Sequence, residues 1–148
     1  ENWPSIRKCP LVLTPHPGEF SRLTGATIAD IQSNRQPAAV AAARKWAGSG
    51  DKPLVCVLKG AGTVVTDGLR VYVNNTGNPG MATGGSGDVL SGLIAAFIGQ
   101  GLAPFEAACL GAYCHGRAGN IAAAEIGQVS LTATDLLDYL PQAIKESA

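Results

Sequence analysis

The feature that most constrains this chain is a glycine-rich stretch from Asn78 to Asp88 that leads directly into a helical pattern. Apolar residues then recur with the spacing of one helical face, at Val89, Leu90, Leu93, Ile94, Phe97 and Ile98. A glycine-rich turn that opens a helix gathers free backbone N–H groups at the positive end of the helix dipole. Phosphate is the usual occupant of such a site. We therefore predict an anion site at the beginning of this helix.

Asp88 is the residue of this stretch whose charge opposes a bound phosphate. A carboxylate repels such a ligand, so it needs another purpose, and taking a proton from an attacking hydroxyl is one. The alternative is structural, because Asp is common in first helical turns and glycine-rich loops often only turn the chain. The sequence of this stretch excludes a P-loop motif, which needs Lys before Ser or Thr. It also excludes a hydrolase elbow, which needs glycine two positions after Ser86.

Composition restricts the class of protein. With 148 residues, of which 46% are apolar, the chain is long enough for one domain with its own core. The 11 basic and 11 acidic residues balance, which leaves no electrostatic footprint for nucleic acid or an acidic membrane surface. No apolar stretch approaches the ~20 residues of a membrane span. The four cysteines lack Cys-x-x-Cys spacing, so we expect free thiols in a reducing cytoplasm, without a zinc site or a disulfide framework.

The order of the predicted elements indicates an α/β layered domain. The expected strands lie at 11–14, 54–59, 63–66 and 69–73. The expected helices lie at 19–23, 38–46, 89–98, 104–121 and after a capping box at 132–135. Asp67-Gly68 predicts a two-residue hairpin turn between the last two strands. Many Ala and Gly residues in the helix after Pro104 predict close packing against its neighbours.

Three polar, glycine-containing loops are expected at the carboxyl ends of the strands, where ligands of such sheets gather. The first carries His16, the second runs from Lys59 to Thr63, and the third is the glycine-rich stretch. We predict that they converge on one edge of the sheet as a binding site.

These loops also carry a family resemblance. Thr14–Glu19, Lys59–Thr63 and the long block Gly77–Gly92 are similar to blocks of the ADP/ATP-dependent NAD(P)H-hydrate dehydratases, in the same order. This family belongs to the ribokinase-like superfamily, which implies a layered sheet with helices on both faces. The family carries a further N-terminal part of comparable length. Residues 1–148 are thus expected to be the C-terminal part of one domain, whose exposed sheet edge is covered by the N-terminal half or a symmetric copy.

The resemblance implies a carbon–oxygen lyase that repairs hydrated NADH or NADPH. A phosphoryl group would pass from ADP or ATP to the ring hydroxyl, and phosphate would then leave. The His-Pro-Gly-Glu spelling is similar to the prokaryotic branch, whose members prefer ADP. Mg²⁺ is expected with the nucleotide, although no carboxylate pair in this chain marks a metal site.

The same resemblance assigns roles to individual residues. Asp88 would be the base and would touch the substrate, and His16 would contact the hydrated cofactor. The transferring phosphoryl group would be held by the amides of Gly85, Ser86 and Gly87. The nucleotide would be bordered by Lys59, Gly60, Ala61, Gly62, Thr63 and Gly87. From the residues alone, His16 between two prolines could equally brace its turn.

Two other functions remain open from the sequence. One is a small-alcohol kinase of the same superfamily, acting on a sugar, hydroxymethylpyrimidine or hydroxyethylthiazole. It needs the same Asp88 and glycine loop, but Thr14–Glu19 and the lead-in 78–83 favour the dehydratase. The other is a catalytically silent nucleotide-binding module.

Overall fold

The computed structural model describes residues 8–48 and 52–147, which form a four-stranded mixed sheet and six α-helices. The strands are β1 (Leu11–Leu13), β2 (Leu54–Leu58), β3 (Val64–Thr66) and β4 (Val71–Val73). The helices are α1 (Pro17–Thr24), α2 (Ile28–Ser33), α3 (Arg35–Ala47), α4 (Ser86–Gly99), α5 (Pro104–Ile126) and α6 (Ala133–Lys145). A 3₁₀ turn, Pro79–Met81, precedes α4. The predicted α/β layered class is confirmed.

The strands follow one another across the sheet in the order β1-β2-β3-β4. β1 and β2 are parallel, and the crossover between them contains α1, α2 and α3, as a parallel pair requires. β3 and β4 then add antiparallel neighbours. All five residues of β2 are buried, whereas the three residues of β1, at one edge of this sheet, are only partly buried.

Helices cover both faces of the sheet, because the side chains of β2 alternate between two cores. Leu54, Cys56 and Leu58 pack with residues of α1, α2 and α3, among them Phe20, Ile31 and Trp46. Val55 and Val57 face the opposite core, with Leu90, Leu93 and Phe97 of α4 and Ala108 of α5. The sheet therefore holds its strand ends rigidly between two helical layers.

The predicted two-residue hairpin turn is wrong. The last residue of β3 pairs with the first of β4, which leaves four residues in the connection. Asp67 Oδ1 accepts hydrogen bonds from the amides of Leu69 (2.9 Å) and Arg70 (2.7 Å). Thr66 Oγ1 accepts from the Gly68 amide at 3.0 Å and donates to the Arg70 carbonyl at 2.7 Å. These side chains satisfy the hydrogen-bonding groups of the loop backbone, which stabilises the four-residue loop in place of a two-residue turn.

Two helix predictions also need correction. α2 was not predicted, because its six residues are too short for a clear periodic pattern; Thr27 caps it by accepting from the Asp30 amide at 3.1 Å. The helix expected at 38–46 begins earlier, at Arg35, and its N-cap Asn34 makes no side-chain capping bond. The helix expected at 19–23 is α1, and Gly25 is its C-cap in the left-handed region at φ 78°.

The predicted close packing of α5 is confirmed. A Cβ on Gly116 would collide with Thr76, and one on Gly119 would collide with Met81. Asn78 Nδ2 donates to the Gly119 carbonyl at 2.8 Å. The beginning of the glycine-rich stretch therefore packs directly against α5.

Neither α5 nor any other helix in the described residues combines the length and apolarity needed to cross a membrane.

Candidate functional site

A cavity of about 620 Å³ opens where β1 and β2 end and α4 begins. It is lined by Leu13, Thr14, Pro15, Glu19, Arg22, Leu23, Lys59, Gly85, Gly87, Asp88 and Ser91. The loop after β1, the first residue after β2 and the glycine-rich turn therefore share one space. The structure places these three predicted segments at one edge of the sheet.

The glycine-rich turn leaves the N-terminus of α4 open. Gly85 is the N-cap at φ 87° and provides no side-chain hydrogen bond. Among the described residues, the amides of Gly85 and Gly87 have no acceptor, and the Ser86 amide lies 3.4 Å from the Thr83 carbonyl. Unsatisfied amides at the positive end of a helix favour the binding of an anion. This is the geometry that the glycine pattern predicted.

Lys59 places a positive charge beside these amides. Its own amide donates to the Pro15 carbonyl at 2.9 Å, which ties the end of β2 to the loop after β1. A Cβ on Gly87 would lie 2.8 Å from Lys59 Nζ, so the ammonium group rests against the Gly87 backbone. Nζ also lies 3.9 Å from Glu19 Oε2, and the side chain is only 23% exposed. Lys59 is therefore a fixed part of the cavity wall rather than a solvated strand end.

Asp88 lies in the first turn of α4 and lines the same cavity. Its carboxylate makes no hydrogen bond or ion pair with any described residue, and its amide bonds to the Gly85 carbonyl at 3.0 Å. The carboxylate does not cap the helix, which removes one structural explanation for it. An exposed carboxylate without a partner, beside uncapped helix amides, is available to take a proton from a ligand.

His16 caps α1. Its Nδ1 accepts from the amides of Gly18 at 3.0 Å and Glu19 at 3.2 Å, while Glu19 Oε2 accepts from the His16 amide at 2.7 Å. This is a reciprocal capping box with histidine in place of Ser or Thr. Gly18 fits because a Cβ there would lie 3.0 Å from His16 Cε1. The His16 side chain is 53% exposed and does not line the cavity, so the structure gives it the bracing role.

The rest of the second loop lies outside the cavity lining. Thr63 Oγ1 closes this loop by donating to the Gly60 carbonyl at 2.9 Å. Arg35 supports it from below, since its Nη2 donates to the carbonyls of Leu58 at 2.9 Å and Lys59 at 3.1 Å. Burial lowers the pKa of Arg35. Its Nη1 donates to Gln32 Oε1 at 2.8 Å, but no local pattern marked the contact with β2, because Leu58 and Lys59 are more than twenty residues away in sequence.

Polar side chains from neighbouring parts of the fold hold the first turn of α4 in place. His115 Nε2 lies 2.9 Å from the Ser86 carbonyl and is buried, which lowers the pKa of this histidine. Ser91 Oγ donates to the Gly87 carbonyl at 2.9 Å and lies 3.1 Å from Thr14 Oγ1, just after β1. The open turn is therefore tied to α5 on one side and to β1 on the other.

The cysteines offer no reactive thiolate at this site. All four are free, and none lines the cavity. Burial raises the pKa of Cys56 to about 12 and that of Cys109 to about 11. Both thiols are therefore protonated near neutral pH, which suits packing rather than nucleophilic chemistry.

Comparison with known proteins identifies the family of this chain. The family model described as NAD(P)H-hydrate dehydratase matches residues 2–142. The chain belongs to this family. The bifunctional NAD(P)H-hydrate repair enzyme Nnr of Moorella thermoacetica is 56% identical over 138 residues, a match that covers 92% of this chain and 25% of the relative. The resemblance found in the sequence is confirmed.

Solved structures confirm the ribokinase-like fold. An ADP/ATP-dependent NAD(P)H-hydrate dehydratase from Bacillus subtilis, co-crystallised with ATP/Mg²⁺, matches with a TM-score of 0.82 and 35% identity, over 94% of this chain and 48% of that one. A ribokinase-like superfamily protein from Enterococcus faecalis matches with a TM-score of 0.70 and 32% identity, over 93% and 44%. The chain thus spans about a quarter of the Moorella relative and about half of these solved chains.

Proposed function

We propose that residues 1–148 form the C-terminal part of a single NAD(P)H-hydrate dehydratase domain. The domain would use ADP or ATP as phosphoryl donor to dehydrate hydrated NADH or NADPH. One observation carries this proposal: the open N-terminus of α4, the ammonium group of Lys59 and the unpartnered carboxylate of Asp88 share one cavity. The names of the Moorella and Bacillus relatives support this choice of substrate and donor.

The first step is phosphoryl transfer. Asp88 takes the proton of the ring hydroxyl while the hydroxyl oxygen attacks the terminal phosphorus of the donor. The new O–P bond forms as the donor's bridging P–O bond breaks, and the shortened nucleotide departs. Negative charge on the equatorial oxygens would be stabilised by the amides of Gly85, Ser86 and Gly87 and by Lys59. The Ser86 amide would exchange its long bond to Thr83 for the phosphoryl oxygen.

The second step restores the dihydronicotinamide. Phosphorylation converts a poor leaving group into a good one, so the ring C–O bond breaks with its electron pair on phosphate. The adjacent ring carbon loses a proton, and the carbon–carbon double bond reforms. The atoms balance as hydrated NAD(P)H plus ADP giving NAD(P)H, AMP, inorganic phosphate and a proton.

The remaining predicted residues lie near the cavity rather than in its lining. We assign Gly60, Ala61, Gly62 and Thr63, which follow Lys59, to the rim against the adenosine part of the donor. His16 has its Nδ1 engaged in the cap, so a contact with the hydrated cofactor would use the other side of the ring, where Nε2 lies 3.4 Å from Glu19 Oε1. Both assignments follow the family resemblance.

Magnesium is proposed to arrive with the nucleotide, as the ATP/Mg²⁺ of the Bacillus structure suggests. The described residues contain no group of three or more His, Cys, Asp or Glu side chains that could hold a metal ion. We propose that the nucleotide phosphates are the main ligands of the ion. No step above depends on the ion.

A partner for the free side of β1 follows from the same proposal. β1 has a neighbour only on the β2 side among the described strands, and its three apolar residues are partly exposed. An unpaired apolar edge favours pairing with another strand. We propose that the N-terminal half of the same domain, a second copy of the chain, or both cover it. The free thiols suit a reducing cytoplasm.

The test is an activity assay on the purified protein, with its intact mass recorded. Hydrated NADH, Mg²⁺ and either ADP or ATP are supplied, and the return of dihydronicotinamide absorbance is followed. Recovery with one nucleotide is the expected result and identifies the donor. No recovery from a complete domain, together with phosphorylation of a small alcohol, would replace the proposal with the kinase. Nucleotide binding without either reaction would indicate a silent module.

A further inference from the structure

Arg22 is the charged residue of the cavity that the proposed mechanism does not use. Four ionisable side chains line the cavity: Glu19, Arg22, Lys59 and Asp88. Lys59 Nζ lies 3.9 Å from Glu19 Oε2, and the same oxygen accepts a hydrogen bond from the His16 amide. Within residues 8–48 and 52–147, the Arg22 guanidinium makes no hydrogen bond or ion pair. It is therefore a cation that faces the cavity without a protein partner.

We propose that Arg22 binds a phosphate group of the hydrated dinucleotide, an inference that rests on the proposed function. A guanidinium offers a planar fork of N–H donors that matches two oxygens of one phosphate. The transferring phosphoryl group already has the α4 amides and Lys59. The cavity, at about 620 Å³, has room for more than that group and a nicotinamide ring. The remaining wall, formed by α1, presents Arg22.

The neighbouring surface fits the rest of a nucleotide. Leu23, next to Arg22, is 46% exposed and lines the same cavity together with Leu13. An exposed leucine beside an unpaired arginine gives a surface with one apolar and one cationic part. A ribose or base with its phosphate has the matching pair of surfaces. The α1 wall is therefore suited to the dinucleotide, whereas the donor phosphates are assigned to the α4 wall.

The alternative is that Arg22 is only a favourable charge at the end of a helix, where it would interact with the last carbonyls. Lys145 provides a matched control for this effect. It is an exposed cation in the last turn of α6, as Arg22 is in the last turn of α1, but it does not line the cavity. Both substitutions remove a cation from the last turn of a helix, but only the substitution of Arg22 should change the KM of the hydrated dinucleotide.

The experiment compares Arg22→Gln, Arg22→Lys and Lys145→Gln with the wild-type protein. KM and kcat are measured for hydrated NADPH, hydrated NADH and the nucleotide donor, and the Kd of hydrated NADPH is measured by calorimetry without donor. We expect Arg22→Gln to raise the KM and Kd of the dinucleotide about 10- to 100-fold with little change in kcat. Arg22→Lys should recover part of the loss, and Lys145→Gln should match wild type.

The two substrates identify which phosphate is bound. A larger effect on hydrated NADPH indicates its additional 2′-phosphate, and an equal effect on both indicates the pyrophosphate. If Arg22→Gln behaves as Lys145→Gln while wild type remains active, Arg22 is only a helix-end charge and the proposed function stands. A rise confined to the KM of the donor also overturns the inference. Failure of the complete wild-type domain to bind or convert either hydrated dinucleotide overturns the proposed function itself.

Discussion

The N-terminal turns of α1 and α4 lie near the same cavity, but side chains cap the turn of α1 and leave that of α4 uncapped. At α1, the His16 ring accepts hydrogen bonds from two backbone amides, and the Glu19 carboxylate accepts one from a third amide. At α4, the N-cap is Gly85, no side chain caps the turn, and two amides lack a partner in the described residues. The helix dipole favours an anion at both ends. Only α4 has donors left to bind one.

The difference shows what makes a helix N-terminus a site. The last helix, α6, is closed like α1, because Thr132 and Asp135 form a second capping box. A serine, threonine or acidic cap would stabilise α4 in the same way but would occupy the amides that an anion needs. Gly85, at the N-cap of α4, has no side chain that could form such a cap. The following predictions test this contrast, beginning with the largest expected effect.

Asp88→Asn should separate the two tasks of the open turn. Loss of the base should lower kcat by about 10²- to 10⁴-fold. Nucleotide binding should be unchanged or tighter, because a negative charge beside the phosphates has been removed. Turnover assays and calorimetric titration with ADP measure the two effects. Normal turnover with weaker nucleotide binding would show that the carboxylate has only a structural role.

Gly85→Ala should damage the open turn itself, with Gly84→Ala as its control. Gly85 has φ 87°, and its Cβ would lie 3.1 Å from Ala133 Cβ, whereas a Cβ on Gly84 meets nothing within 4 Å. The left-handed backbone disfavours alanine by about 1–2 kcal/mol. We expect Gly85→Ala to lower the free energy of unfolding by that amount and to weaken nucleotide binding. Equal behaviour of the two variants in urea unfolding would refute the claim that this backbone geometry matters.

Stability should depend on pH through His115, which supports α4 from beneath. Burial lowers its folded-state pKa below the ordinary 6.5, so the unfolded chain takes up the proton first. Stability is therefore complete above about pH 6.5 and falls as the pH drops towards the folded-state pKa, by at most about 1.4 kcal/mol per pH unit. His115→Gln can still donate to Ser86 but does not titrate, so its urea-unfolding midpoint should depend less on pH. Parallel pH profiles for both proteins would contradict this.

The closed turn of α1 gives the smallest effect. His16→Ala should lower the free energy of unfolding by about 1 kcal/mol, and His16→Asn should restore most of it, because Asn is a good N-cap. If the histidine only braces the turn, His16→Asn should also restore the KM of hydrated NADH. A KM that stays raised in a fully stable His16→Asn protein would demonstrate the substrate contact.

The open turn could be predicted from sequence because its physics is local. The glycines, the apolar pattern of α4 and Asp88 lie within about twenty consecutive positions. The capping function of His16 was also within reach, since Glu19 stands three residues later. The hairpin prediction failed because Thr66 and Asp67 bond to their own loop, a competition that a dipeptide rule ignores.

Contacts between distant parts of the chain could not be predicted from the sequence. Arg35 reaches the end of β2, His115 reaches the Ser86 carbonyl, and Ser91 approaches Thr14 after β1. These are single polar side chains on helices, and their local patterns resemble any solvated or core position. Arg22 belongs to the same group, because only the fold brings α1 to the wall of the cavity.

The most direct measurement is a ¹⁵N–¹H titration of the purified protein with ADP and Mg²⁺, in which the individual backbone amides are followed. The amide resonances of Gly85 and Gly87 should shift with saturation, while those of Gly18 and Glu19, which are already bonded to His16, should stay in place. Shifts at α1 without shifts at α4, or no shift at either helix despite nucleotide binding, would contradict the assignment of the open turn as the phosphoryl site.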